Sequence, residues 1–310
     1  MSHRRTESNI PAVSIVIPTY NHAAFLHQAL SSVVEQTFSD WEAIIVNNFS
    51  DDATLQIIDQ FNEPRFRVIN FHNHGVIAAS RNEGVRHSRA SIIAFLDSDD
   101  VWYAEKIERC LSKFDEGADV VCHAENWVSP GRETRTVTYG PFSRSSHKDL
   151  LFRGNCLSTS ATMVRKELLA KVDGFSERPD LITVEDYDLW MKLSLATRQF
   201  SFISSALGEF RQHGESASSA VDRHLTAELT VIADHAALES QTLLNTIRLR
   251  QRRAVAIYGS GRALMRAHAY GPALLRLLRS LLISPLIFRS YAAILITFFR
   301  ILVPVNRSLQ

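Results

Sequence analysis

A chain of 310 residues with 45% hydrophobic content is long enough for one large core, or for a core with a helical appendage, and too apolar for a disordered protein. Its 34 basic and 33 acidic residues leave a formal charge of +1, which excludes the broad basic footprint of a protein that wraps nucleic acid. Three cysteines, Cys110, Cys122 and Cys156, without Cys-x-x-Cys spacing, exclude a zinc ribbon or a dithiol redox pair and fit a reducing cytoplasm.

The polar stretch from Met1 to Pro11 has no apolar run and reads as neither a signal peptide nor a membrane anchor. Val13 to Ile17 is a β-branched run that reads as a buried strand stopped by Pro18. Asn21 is then expected to cap a helix whose apolar positions Phe25, Ala29, Leu30, Val33 and Val34 recur at helical spacing. A strand at Glu42 to Val46, a helix near Thr54 to Phe61, a strand at Phe66 to Phe71, a helix near Ile77 to His87 and a strand at Ile92 to Leu96 follow. This alternation predicts an α/β, doubly wound, mostly parallel sheet with helices on both faces. Ligands of such sheets bind outside the carboxyl ends of the strands, so the residues after Ile17, Val46, Phe71 and Leu96 should share one crevice. Ser129 to His147, with Gly, Pro, Ser and Thr and little periodicity, reads as a hairpin or loop over that crevice. From about Ala220 the pattern turns helical, which divides the chain into a catalytic domain at 1–219 and a helical region at 220–310.

Four polar clusters carry the chemistry. Leu96-Asp97-Ser98-Asp99-Asp100 sets three carboxylates at the end of a buried strand, an arrangement suited to Mg²⁺ or Mn²⁺, which share their oxygen ligands with substrate phosphates; the competing reading is a helix N-cap at Asp100. Arg81 in Arg81-Asn82-Glu83-Gly84 has the planar donor fork that grips a phosphate or a base carbonyl, and Gly75 suits a tight turn before it. Glu185-Asp186-Tyr187-Asp188 opens an apolar helical run; acidic residues also complement a helix dipole there, but a second carboxylate set far from the first supplies a candidate base. Arg211 and His213, two apart on an extended segment, share a face and are placed for phosphate contact.

Together with Val13-Ser14-Ile15-Val16-Ile17-Pro18-Thr19-Tyr20-Asn21, these segments resemble a bacterial-type member of glycosyltransferase family 2 over roughly the first two-thirds of the chain. The resemblance implies a GT-A fold and an inverting glycosyltransferase that moves a sugar from a nucleoside-diphosphate donor, UDP favoured, to a hydroxyl of a saccharide or lipid-linked acceptor in cell-surface polysaccharide or glycolipid synthesis. It also implies donor contacts at Thr19, Tyr20, Asn21, Arg81, Asp97, Arg211 and His213, a divalent metal at Asp99 with Asp97, Asp186 as catalytic base and Glu185 as its neighbour. One departure stands out: Asn47 and Asn48 occupy positions where the family usually carries acidic residues that accept a hydrogen bond from the uracil ring. An Asn carbonyl can accept that bond without charge assistance, and the exchange equally suits a different base.

Two rival readings remain. A sugar nucleotidyltransferase needs a Gly-rich basic loop after the first strand, where this chain has Pro18-Thr19-Tyr20-Asn21. A catalytically silent sugar-nucleotide binding module is motivated by Asn47 and Asn48 and opposed by Asp99 and Asp186. The tail at about 272–304 reads as two amphipathic helices broken at Pro285. The apolar stretch between Arg289 and Arg300 is too short to span a bilayer. The tail is therefore expected to rest on the anionic cytoplasmic face of a membrane, to pack on the catalytic domain, or to form a homodimer.

Overall fold

A computed structural model describes residues 10–212 and 221–302. The chain divides into two compact units: residues 1–147, 155–179 and 185–214 form the first, and 148–154, 180–184 and 215–310 the second.

In chain order the elements are β1 (Val13–Thr19), α1 (Ala23–Val34), β2 (Trp41–Asn47), α2 (Thr54–Gln60), β3 (Phe66–Asn70), α3 (Ile77–His87), β4 (Ile92–Phe95), β5 (Val101–Trp102), α4 (Lys106–Asp115), β6 (Val120–Val128), β7 (Arg135–Val137), α5 (His147–Arg153), β8 (Thr162–Arg165), α6 (Lys166–Lys171), α7 (Glu185–Ala196) and β9 (Phe200–Arg211). The second unit contains α8 (Val221–Ala236), α9 (Leu243–Arg266), α10 (Tyr270–Ile283) and α11 (Phe288–Leu302). The sheet order is β3-β2-β1-β4-β8-β6-β9-β5, with β7 paired to β6. β3, β2, β1 and β4 are mutually parallel, whereas β8 runs antiparallel between β4 and β6. The sheet is thus mixed, with its parallel half winding outward in both directions from β1. Ser129 to His147 includes the hairpin partner β7.

β1 and β2 are buried at every position, as expected of central strands covered on both faces. Ile15 and Ile17 join Leu26, Leu30 and Val33 of α1 and Ile107 and Phe114 of α4 in one core. Val16 points to the opposite face and meets α3 at Gly84, where an added Cβ would lie 2.4 Å from Val16 Cγ1. That close approach holds α3, and Arg81 one turn before Gly84, against the carboxyl end of the sheet.

Two local expectations are corrected. Pro18 lies inside β1, paired with Val46 of β2. Thr19 O accepts from the β2 side and Val16 O from the β4 side, so by alternation the missing Pro18 N–H faces β4, where pairing has already ended at Phe95. The N-cap of α1 is His22, without a side-chain cap bond. Asn21 instead takes a left-handed φ of 50°, and its amide oxygen accepts from Asp51 N at 3.0 Å. It joins two strand ends rather than starting a helix.

Gly84→Ala should therefore destabilise the protein by about 1–3 kcal/mol through overpacking, although alanine favours a helix. Gly259→Ala in α9, with nothing within 4 Å of the added Cβ, should gain up to about 1 kcal/mol. Denaturant midpoints of the two variants should move in opposite directions.

Candidate active site

Arg81 is buried to 4% exposure, and its fork joins two distant segments. Nη1 donates to Glu185 Oε1 at 2.7 Å, and Nη2 donates to Asp97 Oδ1 at 2.8 Å. Its guanidinium carbon lies 5.3 Å from the centroid of the Phe175 ring, which packs edge-on against Phe95. Burial works against the charge, but the two carboxylates outweigh it and hold the guanidinium above its ordinary value.

The rest of the Arg81-Asn82-Glu83-Gly84 motif is accounted for locally. Asn82 donates to Phe175 O at 2.9 Å and accepts from Phe175 N at 2.9 Å. A Cβ on Gly174, φ +62, would lie 2.5 Å from Asn82 Oδ1. Asn82 thus fixes the turn that carries Phe175 beneath Arg81.

The Asp97-Ser98-Asp99-Asp100 turn divides its carboxylates. Asp97 and Asp99 are partly exposed, while Asp100 is buried. Asp100 accepts from Ser160 Oγ at 2.5 Å and from Arg211 N at 3.0 Å. Burial, then the charges of Asp99, Glu125 and Asp97, push its carboxyl well above the usual range. The cap reading of Asp100 is corrected, because β5 rather than a helix follows it. Ser160 Oγ also accepts from Asp97 N at 3.1 Å, and Ser98 Oγ lies 2.7 Å from His22 Nδ1.

Glu185 and Asp186 stand at the first turn of α7. Asp186 Oδ1 accepts from Tyr187 N at 2.7 Å. Burial, followed by the Glu185 charge beside it, raises the Asp186 carboxyl to about 7, against the pull of Arg81. Arg81, Asp97, Glu185 and Asp186 therefore form one electrostatic group assembled from α3, the turn after β4, and α7.

At the neighbouring strand ends, Thr19 is buried and Tyr20 is 54% exposed. Asn47 Oδ1 accepts from Ser50 N at 3.1 Å and Ser50 Oγ at 2.6 Å, and its Nδ2 donates to Asn70 Oδ1 at 2.7 Å. Asn48 Oδ1 accepts from Asn73 N at 3.0 Å. Both amide oxygens are thus occupied, that of Asn47 within the loop after β2, while the Asn47 amide nitrogen and the Asn48 oxygen tie β2 to β3 and the segment after it. Phe49, with φ 53° and 49% exposure, stacks on His72 at 3.8 Å. His74 and Gly75, both at positive φ, form the turn before α3, with Gly75 N donating to Asn73 Oδ1 at 2.9 Å.

Arg211 does not stand apart on the strand. Its Nε donates to Asp99 O and its Nη1 to Gln28 Oε1, clamping the acidic turn to α1. His213 lies outside the described residues.

Two participants had weak signals in the sequence. Ser160, which orders the acidic turn, lies in an unremarkable Ser-Thr-Ser run. Glu125 is 1% exposed, accepts from Tyr139 Oη at 2.7 Å, and is raised to about 7, chiefly by burial. Its signal was an acid closing the apolar run from Val120.

Among the described residues no group of three or more His, Cys, Asp or Glu side chains is gathered to hold a metal ion. The partly exposed, hard carboxylate oxygens of Asp97 and Asp99 suit a cation that takes one or two protein carboxylates and completes its shell from water and phosphate.

A parallel half-sheet with an acidic turn at its switch point, facing a carboxylate pair at a helix start, defines the class as a GT-A-type transferase. The family model described as Glycosyl transferase family 2 matches residues 14–172, and the chain belongs to that family. It is 29% identical over 215 residues to chondroitin synthase of Escherichia coli, a match covering 69% of this chain and 31% of that protein. The chain therefore spans about a third of the length of that curated relative. Among solved structures, S. aureus TarS 1-349 in complex with UDP-GlcNAc superposes with a TM-score of 0.62 at 19% identity, covering 92% of this chain and 89% of that one. The mannosyltransferase PcManGT from Pyrobaculum calidifontis, in complex with GDP-Man and Mn2+, gives 0.58 at 16% identity, covering 94% and 87%. At these identities the likeness establishes the GT-A fold.

Replacing Arg81 with Leu removes the buried positive charge that lies between Asp97 and Glu185 and should cost about 3–5 kcal/mol. Arg81→Lys, a single point donor, should recover only part of that loss. Urea unfolding of the two variants measures both effects.

Proposed function

We propose that the protein is an inverting, metal-dependent glycosyltransferase that moves a sugar from a nucleoside diphosphate to a hydroxyl of a saccharide or lipid-linked acceptor in cell-surface polysaccharide synthesis. The observation that carries this reading is the Arg81 fork, which brings the acidic turn and the Glu185-Asp186 pair into one site.

Asp186 is the base in this reading. A carboxyl raised to about 7 is half deprotonated near neutral pH, where a general base works best. It takes the acceptor hydroxyl proton as that oxygen attacks the anomeric carbon opposite the leaving diphosphate, so one displacement inverts the configuration. Glu185, fixed by Arg81, positions Asp186 and supplies part of the negative field that raises it. Asp99, with Asp97, would hold Mg²⁺ or Mn²⁺, whose chemistry is neutralisation of charge on the leaving diphosphate. Mn2+ with GDP-Man in the mannosyltransferase complex supports this part of the reading.

Thr19, Tyr20, Asn21, Asn47 and Asn48 border the base pocket, with Arg81, Asp97, Arg211 and His213 toward the ribose and diphosphate. UDP is the favoured donor nucleotide, supported by UDP-GlcNAc in TarS; the polymer named in chondroitin synthase supports a saccharide acceptor. The reaction is placed in the cytoplasm, peripheral to the inner face of a membrane, where a lipid-linked acceptor would be reached.

Asp186→Asn should abolish transfer while donor affinity changes less than about threefold, since the amide keeps the shape and loses the basicity. Near-normal turnover on the true acceptor would reject Asp186 as the base. Because Asp186 acts deprotonated and its folded value is raised, the wild-type rate should climb with pH up to about 7 and level off above it. A pH–rate profile on the acceptor reads that limb.

Asp99→Ala should remove activity and weaken donor binding in the presence of Mn²⁺, and chelation should have the same effect. Full activity after rigorous metal removal would reject the metal. Calorimetry of UDP with and without Mn²⁺ separates binding from turnover.

A further inference from the structure

We propose that the outward apolar faces of α10 and α11, with Arg289 and Arg300, form a docking surface for an anionic lipid bilayer that these helices do not cross; Arg276 of α10 is paired instead with Asp222 of α8 at 2.7 Å. The inference deepens the peripheral location proposed above and does not depend on the glycosyl-transfer chemistry.

The first observation is how these helices pack. α11 buries Ser290, Ala293 and Thr297, and α10 buries Ala273, Leu277 and Ser280. Ser280 Oγ lies 3.5 Å from Ser290 Oγ and donates to Ala254 O at 2.9 Å. A Cβ on Gly261 of α9 would lie 2.9 Å from Leu277 Cγ, so α9 and α10 also meet through a small residue. Leu277 and Ile287 apart, most large side chains here point outward: Leu282 is 79% exposed, Leu286 71%, Phe288 75%, Leu295 60%, Phe299 64% and Leu302 60%. A helix on a water-soluble core does the reverse, hiding its large apolar side chains and exposing polar ones. Small residues at helix contacts with large apolar residues facing out is how helices pack in lipid, and so large an apolar patch marks an interaction surface.

The second observation is charge. Residues 240–310 contain eleven Arg and no Lys, Asp or Glu. With the whole chain at +1, residues 1–239 then carry a net charge of −10. At about 100° per residue, Ser290, Ala293 and Thr297 fall on one stripe of α11, Leu295 and Phe299 on the opposite arc, and Arg289 and Arg300 together at its edge. Guanidinium groups at the rim of an apolar arc reach headgroup phosphates while the arc enters the acyl boundary.

Charge also chooses between occupants. In an isologous dimer through this face the same arginines would confront one another, with no carboxylate in either helix to compensate. An anionic lipid surface supplies the missing charge and the apolar medium together. The described residues of α11 do not reach across a bilayer, because 15 residues extend about 22 Å against a hydrocarbon core of about 30 Å. No helix among the described residues is long and apolar enough to span a membrane.

The test is co-sedimentation of the full chain with vesicles of phosphatidylcholine alone or containing about one-third phosphatidylglycerol. The protein should pellet with the anionic vesicles and be released by high salt. Arg289→Gln/Arg300→Gln should weaken partitioning about thirtyfold, from roughly one surface charge's worth of attraction per arginine. Leu295→Glu/Phe299→Glu should abolish it, with donor binding unchanged in both variants. Negligible pelleting of the folded wild-type chain with both vesicle types overturns the proposal, as does a lipid-independent dimer dissolved by Leu295→Glu/Phe299→Glu. The lipid and salt comparisons use the unmodified chain, so they decide the matter even if a variant fails to fold.

Discussion

A guanidinium at 4% exposure is tolerable only where its charge is met, and Arg81 meets two carboxylates that lie 16 and 104 residues away. Removing either partner would leave charge in a poorly solvated place, so the strand end carrying Asp97 and the helix start carrying Glu185 are held together. Other contacts serve that junction. Gly84 lets α3 settle onto Val16, Asn82 clamps the Phe175 turn, and Phe175 packs between Phe95 and Trp190.

The same concentration of charge differentiates the acids. Asp100 lies inward against Ser160 and the Arg211 backbone, where burial and three neighbouring carboxylates favour its protonated form. Asp186 is raised to about 7 by burial and Glu185, with Arg81 limiting the rise. Asp97 is engaged by Arg81 and Asp99 remains partly exposed. Asp100 and Asp186 thus depart from an ordinary carboxyl because burial and the nearest charges set their affinity for protons.

The last two helices, α10 and α11, reverse the usual arrangement of apolar and small residues, whereas α8 buries Leu225, Val231 and Ile232 in the ordinary way. Apart from Leu277, they bury Ser, Ala and Thr and turn most of their Leu and Phe outward. Helix length and burial alone would not reveal this. It appears only when the side chains on each stripe are compared in size, together with the absence of acids after Glu239.

What the sequence determined by itself was local and periodic. The continuous apolar runs at Val13 and Ile92 could only be buried strands, the helical spacing after Phe25 could only face a core, and the polar clusters had to fall at strand ends. The family was legible because several such clusters recur in one order. Tertiary structure decided which polar atoms face each other. Asn21 looked like a cap because Asn is a good one, yet its carbonyl found Asp51 N; Pro18 looked like a terminator, yet its missing donor fell beyond the β4 ladder. The amide oxygens of Asn47 and Asn48 are occupied by Ser50 and Asn73, and Ser160 is brought to Asp100 across 60 residues. A hydrogen bond depends on the distance and direction of two groups, and for residues far apart in the chain those are set by how helices and strands pack, which neither spacing nor composition encodes.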